Sequence, residues 1–106
     1  MADEKVINII RRYVYLLDIE GLGIDKAFLY GSYASGSNSE NSDIDLMLVS
    51  GLISDNDIQK KSRAWILTKD VDTRIEPYLI STTRFTKDDI SPLIEVVKRE
   101  GIEILL

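Results

Sequence analysis

Two aspartates separated by one residue, Asp43 and Asp45, open an apolar segment that continues to Val49. Residues two apart in a β-strand point to the same side, so the two carboxylates would project side by side. Two carboxylates about 4 Å apart repel each other by roughly 4 kcal/mol at an effective dielectric constant near 20. A shared proton, a cationic side chain or a metal ion would offset this repulsion. Mg²⁺ is the natural candidate, because it takes oxygen ligands and is usually held by one or two carboxylates together with substrate phosphates.

A glycine-serine turn lies upstream of the aspartates, with ten residues between Ser32 and Asp43. Gly31 lets a ligand approach the main chain closely. A short helix that begins after it would direct free N–H groups at an anion, and Ser32 adds a hydroxyl donor. Either motif alone is usually an ordinary turn. Together, at this spacing and between two apolar segments, they predict a site for a phosphate-bearing ligand and a metal ion.

The combined pattern Gly-Ser, ten residues, Asp-x-Asp resembles the signature of the DNA polymerase β-like nucleotidyltransferases. The small chain is most similar to the minimal nucleotidyltransferase (MNT) domains that are often encoded beside HEPN-domain partners, and the resemblance covers essentially its whole length. The resemblance implies Mg²⁺-dependent transfer of a nucleoside monophosphate, AMP from ATP or another NTP, to a hydroxyl group at a two-ion site. The acceptor implied is a tyrosine of a HEPN toxin, for which this chain would be the antitoxin.

Carried over residue by residue, the resemblance assigns Asp43 and Asp45 to metal binding and catalysis, with Glu76 as the third carboxylate of the set. Family members often have aspartate at the third position, and Asp72 is the alternative because strand parity places it on the same face. Glu76 is preferred, since it lies within the predicted third strand where the family places this acid.

Phosphate binding is assigned to Gly31, Ser32 and Arg74. Family members commonly carry basic residues inside the turn, where this chain has Tyr33 and Ser35. Arg74 is therefore the candidate cation for the triphosphate. A surface ion pair with one of the neighbouring acids explains Arg74 at least as well.

The composition narrows the chemistry. The 106 residues carry a net charge of −5 and contain neither histidine nor cysteine. An imidazole base, a Ser-His-Asp triad, disulfides and thiolate metal sites are therefore excluded. An acidic chain without a basic stripe is a poor stand-alone binder of nucleic acid, because phosphate neutralisation dominates that affinity. A free nucleotide is the expected ligand.

The lack of cysteine fits a reducing compartment, and the sequence shows neither a long apolar run nor a signal peptide. We therefore expect a cytoplasmic protein without membrane contact. The apolar C-terminal residues Ile104, Leu105 and Leu106 leave open a homo-oligomer or another pairing between chains, and a terminal edge strand explains them equally well.

Periodicity predicts one domain over residues 1–106, an α/β (α+β) fold with a small mixed sheet of three to four strands and helices mainly on one face. The strand that begins at Asp43 is apolar on both faces past its acids and is expected to be central. The helix predicted over 54–68 is expected to bury Ile58, Trp65 and Ile66, and residues 82–89 are expected to form a loop. Pro77 is expected to weaken or end pairing in a strand over 71–81. The other predicted elements are helices over 3–19 and from Pro92 to Gly101, a helical turn near 33–36, and strands over 26–30 and 102–106.

Three functions remain open from the sequence. The first is the nucleotidyltransferase described above. The second is a non-catalytic module that binds a nucleotide or a HEPN partner and acts by occlusion. The intact acidic set favours the enzyme, because a scaffold has no need for mutually repelling carboxylates. A third, small-molecule modification of the antibiotic-inactivating kind, normally needs a second domain to hold its substrate.

Overall fold

The computed structural model describes residues 3–106, so Met1 and Ala2, where the predicted domain begins, lie outside the described residues. It contains a four-stranded sheet in the order β3-β2-β1-β4. β1 is antiparallel to β2 and β4, whereas β2 and β3 are parallel. The predicted mixed sheet, with the acid-bearing strand in its interior, is confirmed. The elements are α1 (Glu4–Ile19), β1 (Ile24–Tyr30), α2 (Ser32–Ser35), β2 (Ile44–Ser50), α3 (Ile58–Leu67) followed by a 3₁₀ turn (Thr68–Asp70), β3 (Ile75–Ser81), α4 (Thr82–Lys87), α5 (Pro92–Glu100) and β4 (Ile102–Ile104).

The sheet buries both of its faces. Leu46 and Leu48 of β2 point into the larger core under α1 and α3, whereas Met47 and Val49 point into a smaller core under α4 and α5. Residues of both parities in β2 are fully buried, which is why the strand reads as a continuous apolar run. Residues of α1, α3 and Tyr33 of α2 pack in the larger core on one face, and residues of α4 and α5 pack in the smaller core on the other.

The helix ends follow from capping chemistry. Asp3 caps α1 by accepting a hydrogen bond from the Lys5 N–H at 2.8 Å. Ser91 caps α5 through its hydroxyl, and Pro92 occupies the first turn, where its missing N–H costs nothing. Both starts match the prediction. None of the helices within residues 3–106 has the length and apolar character needed to span a membrane.

The orientation predicted for α3 is wrong. Ile58, Trp65 and Ile66 are 75%, 50% and 50% exposed, and the buried positions are Ala64 and Leu67. The reason lies in α1, because the fully buried Tyr13 donates a hydrogen bond from its hydroxyl to the Ala64 carbonyl at 2.6 Å. A small residue must face Tyr13 for the helix backbone to come this close, so the larger side chains turn outward.

Two further local predictions are wrong. Pro77 does not interrupt pairing, because β3 is an edge strand that matches β2 from Ile75 to Ser81. The Arg74 carbonyl accepts a hydrogen bond from the Ile44 N–H at 2.8 Å. The backbone groups of every second residue from 74 onward therefore point to β2. The Pro77 nitrogen points to the open edge instead, so its missing N–H removes no hydrogen bond between the strands.

The segment predicted as a loop after β3 contains α4. The Ser81 hydroxyl caps this helix by accepting a hydrogen bond from the Arg84 N–H at 3.0 Å. Phe85 then stacks on Phe28 of β1, with ring centroids 5.1 Å apart. One aromatic anchor and a cap thus fix a helix too short to show an apolar period.

Candidate active site

Asp45 is the middle member of a row of three side chains that crosses the sheet. In the strand register it lies opposite Tyr30 of β1 and Glu76 of β3. Register partners project to the same face, and adjacent strands lie about 4.8 Å apart. The three are therefore neighbours on the face that carries α4 and α5. Asp43 is exposed and stands one residue before β2 begins.

Gly31 brings the glycine-serine turn into contact with Asp45. Its backbone has φ +75° and ψ −147°, a region that residues with a Cβ rarely adopt. A Cβ at this position would overlap Asp45 Oδ2 and would stand 3.1 Å from Asp45 Cγ. Glycine is thus required both by the turn and by the close approach of the carboxylate. The predicted phosphate turn and the predicted metal-binding acid form one site.

Ser32 follows as the first residue of the short helix α2. The Gly31 carbonyl accepts hydrogen bonds from the N–H groups of Ala34 and Ser35, both at 3.1 Å, and so closes the turn. Within residues 3–106, the structure gives the Ser32 hydroxyl no hydrogen-bond partner. That hydroxyl is available to a ligand.

The electrostatics of the acids fit a site prepared for a cation. Burial, a hydrogen bond to Asp45 that only the protonated form can donate, and the charges of Asp43 and Asp45 raise the pKa of Glu76. Burial and the charge of Asp43 also raise the pKa of Asp45, although its hydrogen bond with Glu76 opposes this. Each of these two carboxyls is therefore harder to ionise than an isolated carboxyl. A bound cation would favour their ionised forms.

Arg74 and Asp72 form a separate pair. Both lie before β3, which begins at Ile75, so the parity that placed Asp72 on the face of Glu76 does not apply. The Arg74 guanidinium donates to Asp72 at 2.8 Å and 3.1 Å, and also to the Tyr33 hydroxyl at 3.1 Å and the Glu40 carbonyl at 2.9 Å. The structure therefore brings Glu76 rather than Asp72 to Asp45, and it engages Arg74 away from the three acids. Binding of a phosphate by Arg74 stays a prediction.

The donor set fits Mg²⁺ when substrate phosphates complete it. Among residues 3–106, no three histidine, aspartate or glutamate side chains are arranged to hold a metal ion by themselves. Mg²⁺ does not require this, since it commonly binds one or two carboxylates and takes its other ligands from water and phosphates. Asp45 and Glu76 supply adjacent oxygen donors whose mutual repulsion a cation would relieve.

Tyr30 lies beside Asp45, and its position there follows from the strand register. Its burial and the charges of Asp45 and Glu76 raise the pKa of its phenol to about 12. Arg84 lies in the segment predicted as a loop, and its guanidinium is over the Tyr78 ring, 5.9 Å from the centroid. The sequence gives no sign of either arrangement, because both depend on how separate elements meet.

The fold and the site define a class of proteins. The family model described as "Polymerase beta, Nucleotidyltransferase" matches residues 4–104. The chain belongs to this family, so the predicted membership and fold are confirmed and the chain is a nucleotidyltransferase by class. No curated protein matches it.

Solved structures share the fold at low sequence identity. A candidate nucleotidyltransferase from Sulfolobus solfataricus is 14% identical with a TM-score of 0.65, covering 93% of this chain and 78% of that one. The toxin-antitoxin MntA-HpeT with two aspartate-to-glutamate substitutions is 18% identical with a TM-score of 0.60, over 90% and 71% of the two chains. A toxin-antitoxin with AMP-PNP is 20% identical with a TM-score of 0.59, over 89% and 71%.

Proposed function

We propose that this chain is a Mg²⁺-dependent nucleotidyltransferase that transfers AMP from ATP to a hydroxyl group. The contact between Asp45 and Gly31 carries the proposal, because a triphosphate bound at the turn would lie beside this acid. Asp43, Asp45 and Glu76 are the metal-binding and catalytic acids, and Gly31 and Ser32 bind the phosphates.

The residues divide the work as their positions suggest. When bound, one or two Mg²⁺ ions would neutralise the triphosphate and the acids and polarise the α-phosphorus. The Ser32 hydroxyl donates a hydrogen bond to a phosphate oxygen. The acceptor oxygen forms a bond to the α-phosphorus, the bond to the bridging oxygen breaks, and pyrophosphate leaves. Glu76, exposed beside Asp45, takes the proton of the acceptor hydroxyl.

The acceptor in this proposal is a tyrosine of a HEPN-domain toxin, and the chain acts as its antitoxin in the cytoplasm. Two structures of the same fold are toxin-antitoxin complexes, one of them with AMP-PNP, which supports a toxin partner and a nucleotide. Glu76 lies on the edge strand β3, so the side of the site that would receive the hydroxyl is open to another chain.

Calorimetric titration with ATP and Mg²⁺ tests the site. Wild type is expected to bind ATP only with the metal, and Asp43→Asn/Asp45→Asn to bind at least tenfold more weakly. Asp70→Asn/Asp89→Asn is the matched control, because it makes the same change in charge at exposed positions outside the site. Absence of binding by wild type, or equal loss in the control, would contradict the proposal.

Transfer itself is tested with ATP labelled at the α-phosphate and a HEPN toxin as acceptor. Label on a toxin tyrosine, lost in the Asp43→Asn/Asp45→Asn variant, is the expected result. Binding of ATP and of the toxin without transfer of label would instead establish the second candidate, a module that acts by occlusion.

A further inference from the structure

A cavity of about 520 Å³ adjoins the acids on the β1 side of the sheet. It lies between α2 and α5, and its volume falls within the range of about 300–1,000 Å³ that small-molecule sites occupy. Tyr30 and Gly31, the two residues next to Asp45, also form one wall of this cavity. The complete lining is Tyr30, Gly31, Ala34, Ser35, Val96 and Glu100.

The chemistry of the lining excludes the phosphates. Within the described part of the chain, the lining residues include a carboxylate and neither lysine nor arginine. A triphosphate would be repelled there. The Tyr30 ring, Ala34 and Val96 instead offer apolar surfaces of the kind on which a planar ring packs.

We propose that this cavity binds the nucleoside part of the substrate, with Glu100 accepting a hydrogen bond from the exocyclic amino group of the base. The inference rests on the proposed function, since it assumes that the phosphates lie at Gly31 and Asp45. A carboxylate only accepts hydrogen bonds, so it selects bases that carry an amino group. Arg99 donates to Glu100 Oε2 at 3.1 Å, which leaves Oε1 for the base.

Tyr30 connects the two halves of this site. It is half-buried, it is the register partner of Asp45 and it lines the cavity. A nucleotide with its phosphates at the turn would therefore pass over Tyr30 and Gly31 to reach Val96 and Glu100.

A substitution that fills the cavity distinguishes binding of the nucleoside from binding of the phosphates. Val96→Trp is expected to weaken Mg²⁺-dependent binding of ATP at least tenfold and to leave binding of inorganic tripolyphosphate with Mg²⁺ unchanged. Unchanged ATP binding, or equal losses for both ligands, would overturn the inference. Failure of wild type to bind either ligand would instead refute the proposed function.

Glu100→Ala tests the base contact in a variant that leaves the packing of α5 intact, because Glu100 is exposed at the helix end. Wild type should bind ATP about tenfold more tightly than purine riboside triphosphate, which lacks the amino group, as a hydrogen bond to a charged group allows. Glu100→Ala should abolish this preference. Glu95→Ala should keep it, since Glu95 carries the same charge on the same helix, also contacts Arg99 and lies outside the cavity. Equal ratios in all three proteins would overturn the assignment of Glu100.

Discussion

Gly31→Ala is expected to destabilise the protein and to abolish Mg²⁺-dependent binding of ATP, although it removes no functional group. Two costs arise from the structure. The backbone at φ +75° and ψ −147° is strained for alanine, at about 1–3 kcal/mol. The new Cβ would also overlap Asp45 Oδ2, so the carboxylate must turn to an unfavourable rotamer, at about 1 kcal/mol more.

A double-mutant cycle with Asp45→Ala separates these two costs. The Asp45 Cβ lies 3.4 Å from the position of the added Cβ, an ordinary contact, so in the Asp45→Ala background only the backbone cost remains. We therefore expect a coupling free energy of about 1 kcal/mol between the substitutions, measured by urea unfolding in buffer with a chelator. Additivity within about 0.5 kcal/mol would refute the contact.

Gly21→Ala is the matched control for binding. Gly21 has φ +87°, and no atom lies within 4 Å of a Cβ added there. Its substitution carries a backbone cost without touching the site, so the variant should be destabilised and should still bind ATP as wild type does. If Gly31→Ala also bound ATP normally, the geometry of the site would be refuted even if the variant were unstable.

Three other outcomes follow from the same structure. Asp45→Asn should raise the free energy of unfolding of the metal-free protein by about 1 kcal/mol at pH 8, because it removes the repulsion with Glu76 across neighbouring strands, which solvent partly screens. This gain in the free energy of unfolding should vanish below about pH 4. The pKa values of Asp45 and Glu76 are raised in the folded state, so at that pH both carboxyls are protonated in the folded and unfolded states. A gain that persists below about pH 4 would contradict the repulsion between the two acids. The hydrogen bond from Arg74 lowers the pKa of Asp72, so wild type should lose stability as the pH falls from about 4 through that lowered pKa. In acid titrations followed by circular dichroism, Asp72→Asn should show a smaller loss of stability over this range. Trp65→Ala should cost about 1 kcal/mol or less in thermal unfolding, well under the 3–5 kcal/mol of a core tryptophan, and a core-sized loss would contradict the exposed orientation.

The meeting of the glycine turn with Asp45 could be predicted from the sequence because it depends on local rules. Asp43, Asp45 and the Gly31 turn lie within one hairpin, where spacing and strand parity determine which side chains meet. The start of α5 was likewise predictable from the residues at Ser91 and Pro92. Each of these features is decided by residues a few positions apart.

What the sequence could not provide is how separate elements align. Glu76 and Asp72 share a parity, and only the start of β3 at Ile75 and its register with β2 decide between them. Arg74, like Asp72, precedes Ile75 and therefore lies outside β3. The face of α3 was also ambiguous, since the outward stripe containing Trp65 is more apolar than the inward one, and the close packing of Tyr13 decides the orientation.

The order of the strands adds a direction to the proposed reaction. β2 lies between β1 and β3, so Gly31 and Glu76 flank Asp45 from opposite sides. Phosphoryl transfer requires the attacking oxygen and the leaving group to lie roughly in line across the phosphorus. In the proposed reaction the phosphates are held at the β1 side and the acceptor proton is taken at the β3 side. The leaving group and the attacking oxygen would then lie on opposite sides of the phosphorus, along the direction that crosses the strands. The edge position of β3 then gives a reason for a partner chain to supply the hydroxyl, because no strand within residues 3–106 pairs with the outer side of β3.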